Sequence, residues 1–534
     1  GAGGGKSDLA RLMARQTVPS SGQIMVGGHD LSTLPGEAIG RHFAYVDQDS
    51  YISSGSFRDN LFYGLKRRPG GNGGAEDDEA RAAREWSLGE ALKSGNNPFD
   101  IGADWIDYEA AGAADAKGLT ERSMNVLRTV GLEEDVFQFG LRRVIEPDSY
   151  PELVEGVLKA RAIIAKTLMA PGLSNLVETF DKEKFNSHAS VAENILFGTP
   201  VGAEFDVDDL GANPYVREVL VEVGLRDDFI EIGRATAVLM IELFRDLPPG
   251  HELMERFSFI DADDLPEFQK IVKQAETDGL DSLGEEDRTR LSDLPFKLIP
   301  SRHRLDQITA EVQNRILEAR RVFAEKLPED LRPSIEFFEL ANYNAASSIQ
   351  DNILFGKMAD NRSESVARVG EIMADAINEL GLRWAVLDVG LDFDVGIAGK
   401  RLSGAQRQRL SLARSLMKRP RIMIVNEAVS SLDADAQGEI LKGVKSEMAG
   451  RGLVWVDGAA ENDAFDRALM VDQGRVQDDT AGAPGPAAEV PAAAGEEAVA
   501  SGGLGEETEV LASIAFFAGV DRSRLKLLAF TSER

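Results

Sequence analysis

The chain contains no cysteine, which excludes disulfides, thiolate metal sites and a cysteine nucleophile, and agrees with a reducing compartment. Histidine is scarce. The five present, His29, His42, His188, His251 and His303, show no metal-ligand spacing, and none follows His303. Long apolar runs are missing too: the longest weakly polar stretch is Ala235 to Ile241, far short of the ~18 to 20 residues that cross a bilayer. Positive charge is in deficit. Lys plus Arg is 59 against 90 for Asp plus Glu, a formal charge of −31, the wrong sign for coating a phosphate backbone, so no nucleic-acid partner is expected. The chain opens on Gly1-Ala-Gly-Gly-Gly5 with neither Met nor a basic-then-apolar signal, and reads as a piece cut from a longer protein.

What is present begins with length. At 534 residues, and roughly 150 residues per domain, three or four units are expected. A nine-residue unit recurs three times: Ser56-Phe-Arg-Asp-Asn-Leu-Phe-Tyr-Gly64, Ser190-Val-Ala-Glu-Asn-Ile-Leu-Phe-Gly198 and Ser348-Ile-Gln-Asp-Asn-Ile-Leu-Phe-Gly356. An aromatic stands nine residues before each Asn (Tyr51, Phe185, Tyr343), and Val130-Gly-Leu132, Val223-Gly-Leu225 and Leu380-Gly-Leu382 follow. Ser-x-x-Asp/Glu is the capping-box pattern, and the closing Gly suits a left-handed helix end, so each copy predicts a short capped helix. The stretch between the first and third copies reads as mostly helical, for example Pro151 to Ala170 and Asp306 to Leu327, without sustained heptads. Loops are expected at Pro69 to Gly74, Pro248 to Gly250 and Leu294-Pro295, and a disordered Ala/Gly/Pro/Glu linker from Asp478 to Glu507.

Three segments carry chemistry. Gly1-Ala-Gly-Gly-Gly-Lys6-Ser7 fits a phosphate loop whose first glycine would sit one position before the chain starts. Glycine N–H groups at a helix N-terminus make an anion nest, the Lys reaches terminal phosphates and the Ser hydroxyl ligates magnesium. Alone, the pattern fits a flexible glycine tail equally well. Far downstream, Leu402-Ser-Gly-Ala-Gln-Arg-Gln-Arg-Leu-Ser-Leu-Ala-Arg414 precedes the apolar run Ile422-Met-Ile-Val425, which ends in Asn426-Glu427 and leads to Ser431-Leu-Asp433. That run has the length of a buried parallel strand, whose C-terminal end is where open α/β sheets place ligands.

Taken in this order, the motifs resemble the ATP-binding domain of ABC transporters, most nearly the exporter type. Gly1 to Ser7 resembles a Walker A loop, Gln48 the Q-loop glutamine, Leu402 to Gln406 the family signature with Ala405 at its second Gly, Ile422 to Glu427 Walker B with its following glutamate, and Ser431 to Asp433 the D-loop. Val471 to Arg475 resembles the terminal strand and turn. The resemblance implies a P-loop NTPase, an α/β protein with a RecA-like parallel sheet core of ABC type, here carrying a greatly enlarged, mostly helical insertion. It implies ATP held by Gly3, Gly4, Gly5, Lys6, Ser7, Gln48, Ser403, Gly404 and Gln406, Mg2+ held by Ser7, Gln48 and Asn426, and Glu427 as catalytic base. It also implies a second ABC nucleotide-binding domain as partner, in a homo- or heterodimer, and a transmembrane domain not in this chain that ties it to the cytoplasmic face of the membrane.

Two departures bear on rate. Asn426 replaces the Walker B aspartate, and the position of the family's switch histidine falls on Asp457; weaker magnesium holding, repulsion of the γ-phosphate and slow hydrolysis are therefore expected. The expected division is 1–68 and 341–480 for the two parts of the ABC core, 69–340 for the insertion, 481–505 for a linker and 506–534 for the start of a further domain. That last segment resembles the opening helix of cyclic-nucleotide-binding domains, and fits an ordinary amphipathic helix equally well. Two other classes compete: a nucleotide-binding regulatory or interaction module without useful ATPase activity, and a chromosome-organising ABC ATPase, against which the missing heptads and the charge argue.

Overall fold

The structure is a computed structural model describing residues 5–67, 78–97, 104–245, 254, 258–303, 307–359, 362–456, 465–472 and 474–478. Gly3, Gly4, the 69–74 and 248–250 loops, Asp457, the linker and the 506–534 tail lie outside the described residues. Residues 1–140 with 386–491 make one compact unit, and 141–385 belong to a second. These units divide at different points from the motif-bearing segments. Helix Ala116–Thr129 packs on the signature helix Gly404–Met417, whereas helices Ile349–Leu354 and Ser363–Glu379 pack on helix Pro151–Leu168.

The first unit is built on a three-stranded parallel sheet in the order Phe43–Asp47, Ile422–Asn426, Gly452–Val456. Register places Asp47 opposite Asn426, and Asn426 opposite Val456. Met423, Ile424 and Val425 are all fully buried, the continuous burial expected of a parallel strand covered on both faces. Helix Lys6–Met13 covers one face, laying Ala10 against Ile424 with Met13, Tyr45, Val454 and Val456 around them. Helices Glu133–Leu141 and Arg383–Leu391 cross closely because each supplies a glycine. A Cβ on Gly140 would lie 2.0 Å from the Val386 carbonyl oxygen, and one on Gly390 2.0 Å from that of Val136.

The repeated units form short helices as their spacing predicts: Phe57–Leu61, Val191–Leu196 and Ile349–Leu354. Ser56, Ser190 and Ser348 each accept the N–H three residues on, with full reciprocal capping boxes in the first two. The helix ends depart from expectation. In the second and third copies the left-handed position is taken by Phe197 (φ +44°) and Phe355 (φ +45°), not by the glycine. Such a conformation costs a bulky residue about 1 kcal/mol or more. Close packing offsets it, with the Arg320 guanidinium 4.4 Å over the Phe197 ring and that of Arg161 4.6 Å over Phe355. The glycines serve the next strand instead: a Cβ on Gly198 would lie 2.6 Å from the Glu336 oxygen, and one on Gly356 2.5 Å from that of Glu178.

The second unit pairs these two copies about a local pseudo-twofold. Strand Val177–Thr179, before one capped helix, pairs with Gly356–Met358, after the other, and Gly198–Pro200 pairs reciprocally with Ile335–Phe337. Phe180 N–H donates to the Phe355 oxygen and Phe338 N–H to that of Phe197, both at 2.9 Å. The Phe180 and Phe338 rings stack with centroids 4.2 Å apart.

Each repeat asparagine sits at the centre of the same hydrogen-bond cage. Asn60, Asn194 and Asn352 accept at Oδ1 from the N–H of Ser53, Asn186 and Asn344 at 2.8–2.9 Å, and donate from Nδ2 back to the same residue's carbonyl. An arginine from a distant helix then closes each cage. Arg320 donates from Nε to the Asn194 carbonyl at 2.7 Å and from Nη2 to its Oδ1 at 3.0 Å; Arg161 does the same to Asn352 at 2.7 and 3.1 Å, and Arg414 to Asn60 at 3.1 and 3.3 Å. The bridges are nested along the chain: 60 with 414 outermost, 161 with 352 inside it, 194 with 320 innermost. Helices Pro151–Leu168 and Ala310–Lys326 thus do for two repeats what the signature helix does for the first.

Two half-buried groups in the second unit are shifted in opposite senses. His303 accepts the Ile299 N–H at Nδ1 (2.9 Å), and burial pushes its pKa down to about 4; burial pushes Asp293, which accepts the Gly211 N–H at 2.6 Å, up to about 6. An unfolded His protonates near 6.5, so the His303 contribution, about 3 kcal/mol, is complete above that pH and lost as pH falls towards 4. Asp293 takes its proton in the folded state before the unfolded carboxyl does near 3.8, so its contribution grows over the same descent. Asp293→Asn is therefore expected to steepen the acid loss of stability between pH 6.5 and 4, and His303→Asn to make it shallower than in the wild type. Urea midpoints measured across that range check both signs.

Candidate functional site

The phosphate-loop sequence enters its helix through Gly5, whose φ of +89° is open to glycine and strained for other residues. Lys6 and Ser7 occupy the first turn and are half-buried. The first-turn N–H groups and the positive end of the helix dipole point there, which suits a phosphate. This helix lies against strand Ile422–Asn426, with Ala10 on Ile424.

Strand Phe43–Asp47 delivers Gln48, which is exposed, beside that strand end. Asn426 is 2 % exposed. Its Nδ2 donates to Asp47 Oδ1 at 3.0 Å and to the Tyr45 hydroxyl at 3.3 Å, while Tyr45 donates to Asp47 Oδ2 at 2.8 Å. Burial, then the bond to Asp47, raises the Tyr45 pKa, so the phenol remains a donor. Glu427 is half-buried at φ +51°, fixed by its N–H to the Val456 oxygen at 3.0 Å.

The signature residues sit on another element. Ser403 caps helix Gly404–Met417, accepting the Gln406 N–H at 3.1 Å while Gln406 Oε1 accepts the Ser403 N–H at 2.9 Å. Gln406 also donates to Asp135 at 2.7 Å. A Cβ on Gly404 would lie 3.6 Å from Ser431 Oγ, so the signature start adjoins the Ser431 to Asp433 segment. Buried Gln408 ties them: its Oε1 accepts the Ser431 N–H at 3.0 Å, and its Nε2 reaches Ser430 Oγ at 3.3 Å and the Gln48 carbonyl at 3.5 Å.

Sequence reasoning passed over Gln408, Asp47 and the three cage arginines. Gln408 was visible only as one polar residue in an arginine-rich helix. The arginines share a buried apolar residue four positions before and an alanine one before: Val157 and Ala160, Ile316 and Ala319, Leu410 and Ala413. With buried Ile164, Phe323 and Met417 three positions after, the match is a spaced apolar pattern around one alanine, and such spacings are common on helix faces in a chain that is 43 % hydrophobic.

The donor set fits the groups that the motifs imply. For magnesium, Asn426 Oδ1 is a buried acceptor with no hydrogen-bond partner, and hydrated cations take such oxygens. For a nucleotide, the left-handed Gly5 opens a helix N-terminus. Among the described residues no cluster of three or more His, Asp or Glu could hold a metal by itself, and no helix is long and apolar enough to cross a membrane.

Residues 1–123 match the family model described as ABC transporter. A putative export ATP-binding/permease protein of Rickettsia typhi is 30 % identical over 151 residues, 28 % of this chain and 25 % of that protein. ATP-dependent lipid A-core flippases of Xylella fastidiosa and Hahella chejuensis are 36 % and 35 % identical over 132 and 130 residues, 24 % of this chain and 21 % of each flippase. The match thus spans a quarter or less of the curated relatives' length. These matches and the order of the motifs support an exporter-type ABC ATP-binding domain of P-loop NTPase fold in this chain.

Proposed function

We propose that the chain is the ATP-binding and hydrolysing motor portion of an ABC transporter that drives transport by nucleotide-dependent dimerisation, with attenuated hydrolysis. The observation that carries this reading is the packing of the Lys6-Ser7 helix on the strand that ends in Asn426-Glu427, with the Gln48 strand in register beside it. In this reading Gly3, Gly4, Gly5, Lys6 and Ser7 cradle the phosphates, and Ser7, Gln48 and Asn426 serve magnesium. Glu427 acts as general base, and Ser403, Gly404 and Gln406 bind the nucleotide of a second ABC domain. Magnesium, when bound, offsets phosphate charge. A membrane domain outside this chain would hold it at the cytoplasmic face, and the division into core parts 1–68 and 341–480, insertion 69–340, linker 481–505 and further domain 506–534 is part of this proposal.

Slow turnover is the expected result for the protein with Mg-ATP, and Asp457→His should raise it, since a carboxylate near the γ-phosphate repels it and a histidine can donate to it. Fast hydrolysis by the unmodified protein would overturn attenuation and leave the ABC assignment in place. The second reading, a nucleotide-binding regulatory module without useful turnover, is favoured by one feature: Asn426 is uncharged and its amide is committed to Asp47 and Tyr45. Nucleotide binding with no turnover above that of Glu427→Gln would select it.

A further inference from the structure

We propose that Asn426 and Asp47 act together as a divided carboxylate for the magnesium of Mg-ATP, Asn426 Oδ1 offering the oxygen and Asp47 supplying the charge and fixing the amide's orientation. The inference rests on the magnesium-nucleotide reading above and adds a positioning residue to it. Read from the strand end alone, Asn426 removes the negative charge from its position. The neighbouring strand returns one: Asp47 lies opposite in the parallel register, with Oδ1 3.0 Å from Asn426 Nδ2.

An amide can be turned either way about its last torsion, and the neighbours decide which. Turned over, Asn426 would set its oxygen against the Asp47 carboxylate, and both would be acceptors. With Nδ2 on the carboxylate, the bond is charge-assisted and Oδ1 is left pointing elsewhere. That oxygen is buried and has no partner. A buried amide oxygen without a donor is costly, and such groups persist where a ligand supplies the missing interaction. The carboxylate behind the amide draws on its N–H and leaves the oxygen a stronger acceptor.

Asp47 is itself held firmly. Its Oδ1 also accepts the Gln48 N–H at 2.9 Å, its Oδ2 the Tyr45 hydroxyl at 2.8 Å, and the Arg11 guanidinium stands 3.7 Å away. The aspartate therefore ties the Gln48 backbone, the Asn426 amide and the helix that begins at Lys6 to one group. Its place is behind the ligating oxygen, as with the carboxylates that orient metal-binding histidines.

The test is the Mg2+ concentration at half-maximal binding of a fluorescent ATP analogue, with binding in EDTA as the metal-free baseline. Asp47→Asn is expected to raise that midpoint about 10- to 100-fold while leaving the EDTA baseline in place. Asn426→Asp alone should raise it too, because two carboxylates would then face each other across the same short gap. The exchange Asp47→Asn with Asn426→Asp restores one charge and one amide, and should return the midpoint to within about threefold of wild type. An unchanged midpoint in Asp47→Asn, or an exchange variant no better than the single ones, would overturn the proposal. A merely structural Asp47 would instead lower the EDTA baseline and the thermal midpoint together, and the exchange would not rescue the Mg2+ dependence. Failure of the wild type to bind nucleotide under either condition would overturn the ATP-binding reading, and this inference with it.

Discussion

Replacing Arg320 by alanine is expected to destabilise the second unit by roughly 3 to 5 kcal/mol, the top of the range for a single substitution. The guanidinium is buried and donates to the Asn194 carbonyl and Oδ1, and from Nη1 to the carbonyls of Asp181, Lys182 and Lys184 at 2.8–3.0 Å. Burial lowers its pKa only to about 10, so it stays charged at neutral pH. Alanine strands the Asn194 acceptors in the interior and leaves a cavity beside the Phe197 ring. Lysine should recover only part of the loss, since one ammonium cannot span the fork that a guanidinium covers. Hydrogen exchange at Phe338, whose amide donates to the Phe197 carbonyl across the pseudo-twofold, reads the effect within this unit; protection unchanged in Arg320→Ala would contradict it.

The second large effect concerns chemistry. Glu427→Gln is expected to lower turnover by roughly 10² to 10⁴, the usual contribution of a general base, while nucleotide binding changes little. The strand end fixes Glu427 by its backbone bond to the Val456 oxygen, so the amide should occupy the same place without accepting a proton. Single-turnover measurements with Mg-ATP separate this from a binding defect. Equal rates in the two proteins would exclude Glu427 as the base.

What could be read from the sequence was short in range. Ser56, Ser190, Ser348 and Ser403 each announce a helix start through a partner three residues on, and the run Ile422 to Val425 announces a covered strand by composition alone. The cages could not be read that way, because each asparagine's arginine is 126, 191 or 354 residues distant. Phe197 and Phe355 were hidden by the glycine that follows them: a glycine after a helix usually marks the left-handed turn, whereas here it marks a close strand. Asp47 went unnoticed for a third reason. Its meaning depends on which strand lies beside it, and parallel register is set by tertiary packing rather than by neighbours in sequence.

The nesting of the three cages imposes an order in time. As the chain leaves the ribosome, Asn60 emerges first and its arginine last, 354 residues later, which at 5 to 20 residues per second is a wait of roughly 20 to 70 s. The innermost cage, spanning 126 residues, can close well before that. Each closure shortens the flexible chain that the next must span, and so lowers the entropy cost of the outer bridges. Maturation would therefore run from the middle of the chain outward, and the three-stranded sheet that pairs Phe43–Asp47 with Ile422–Asn426 would be completed last.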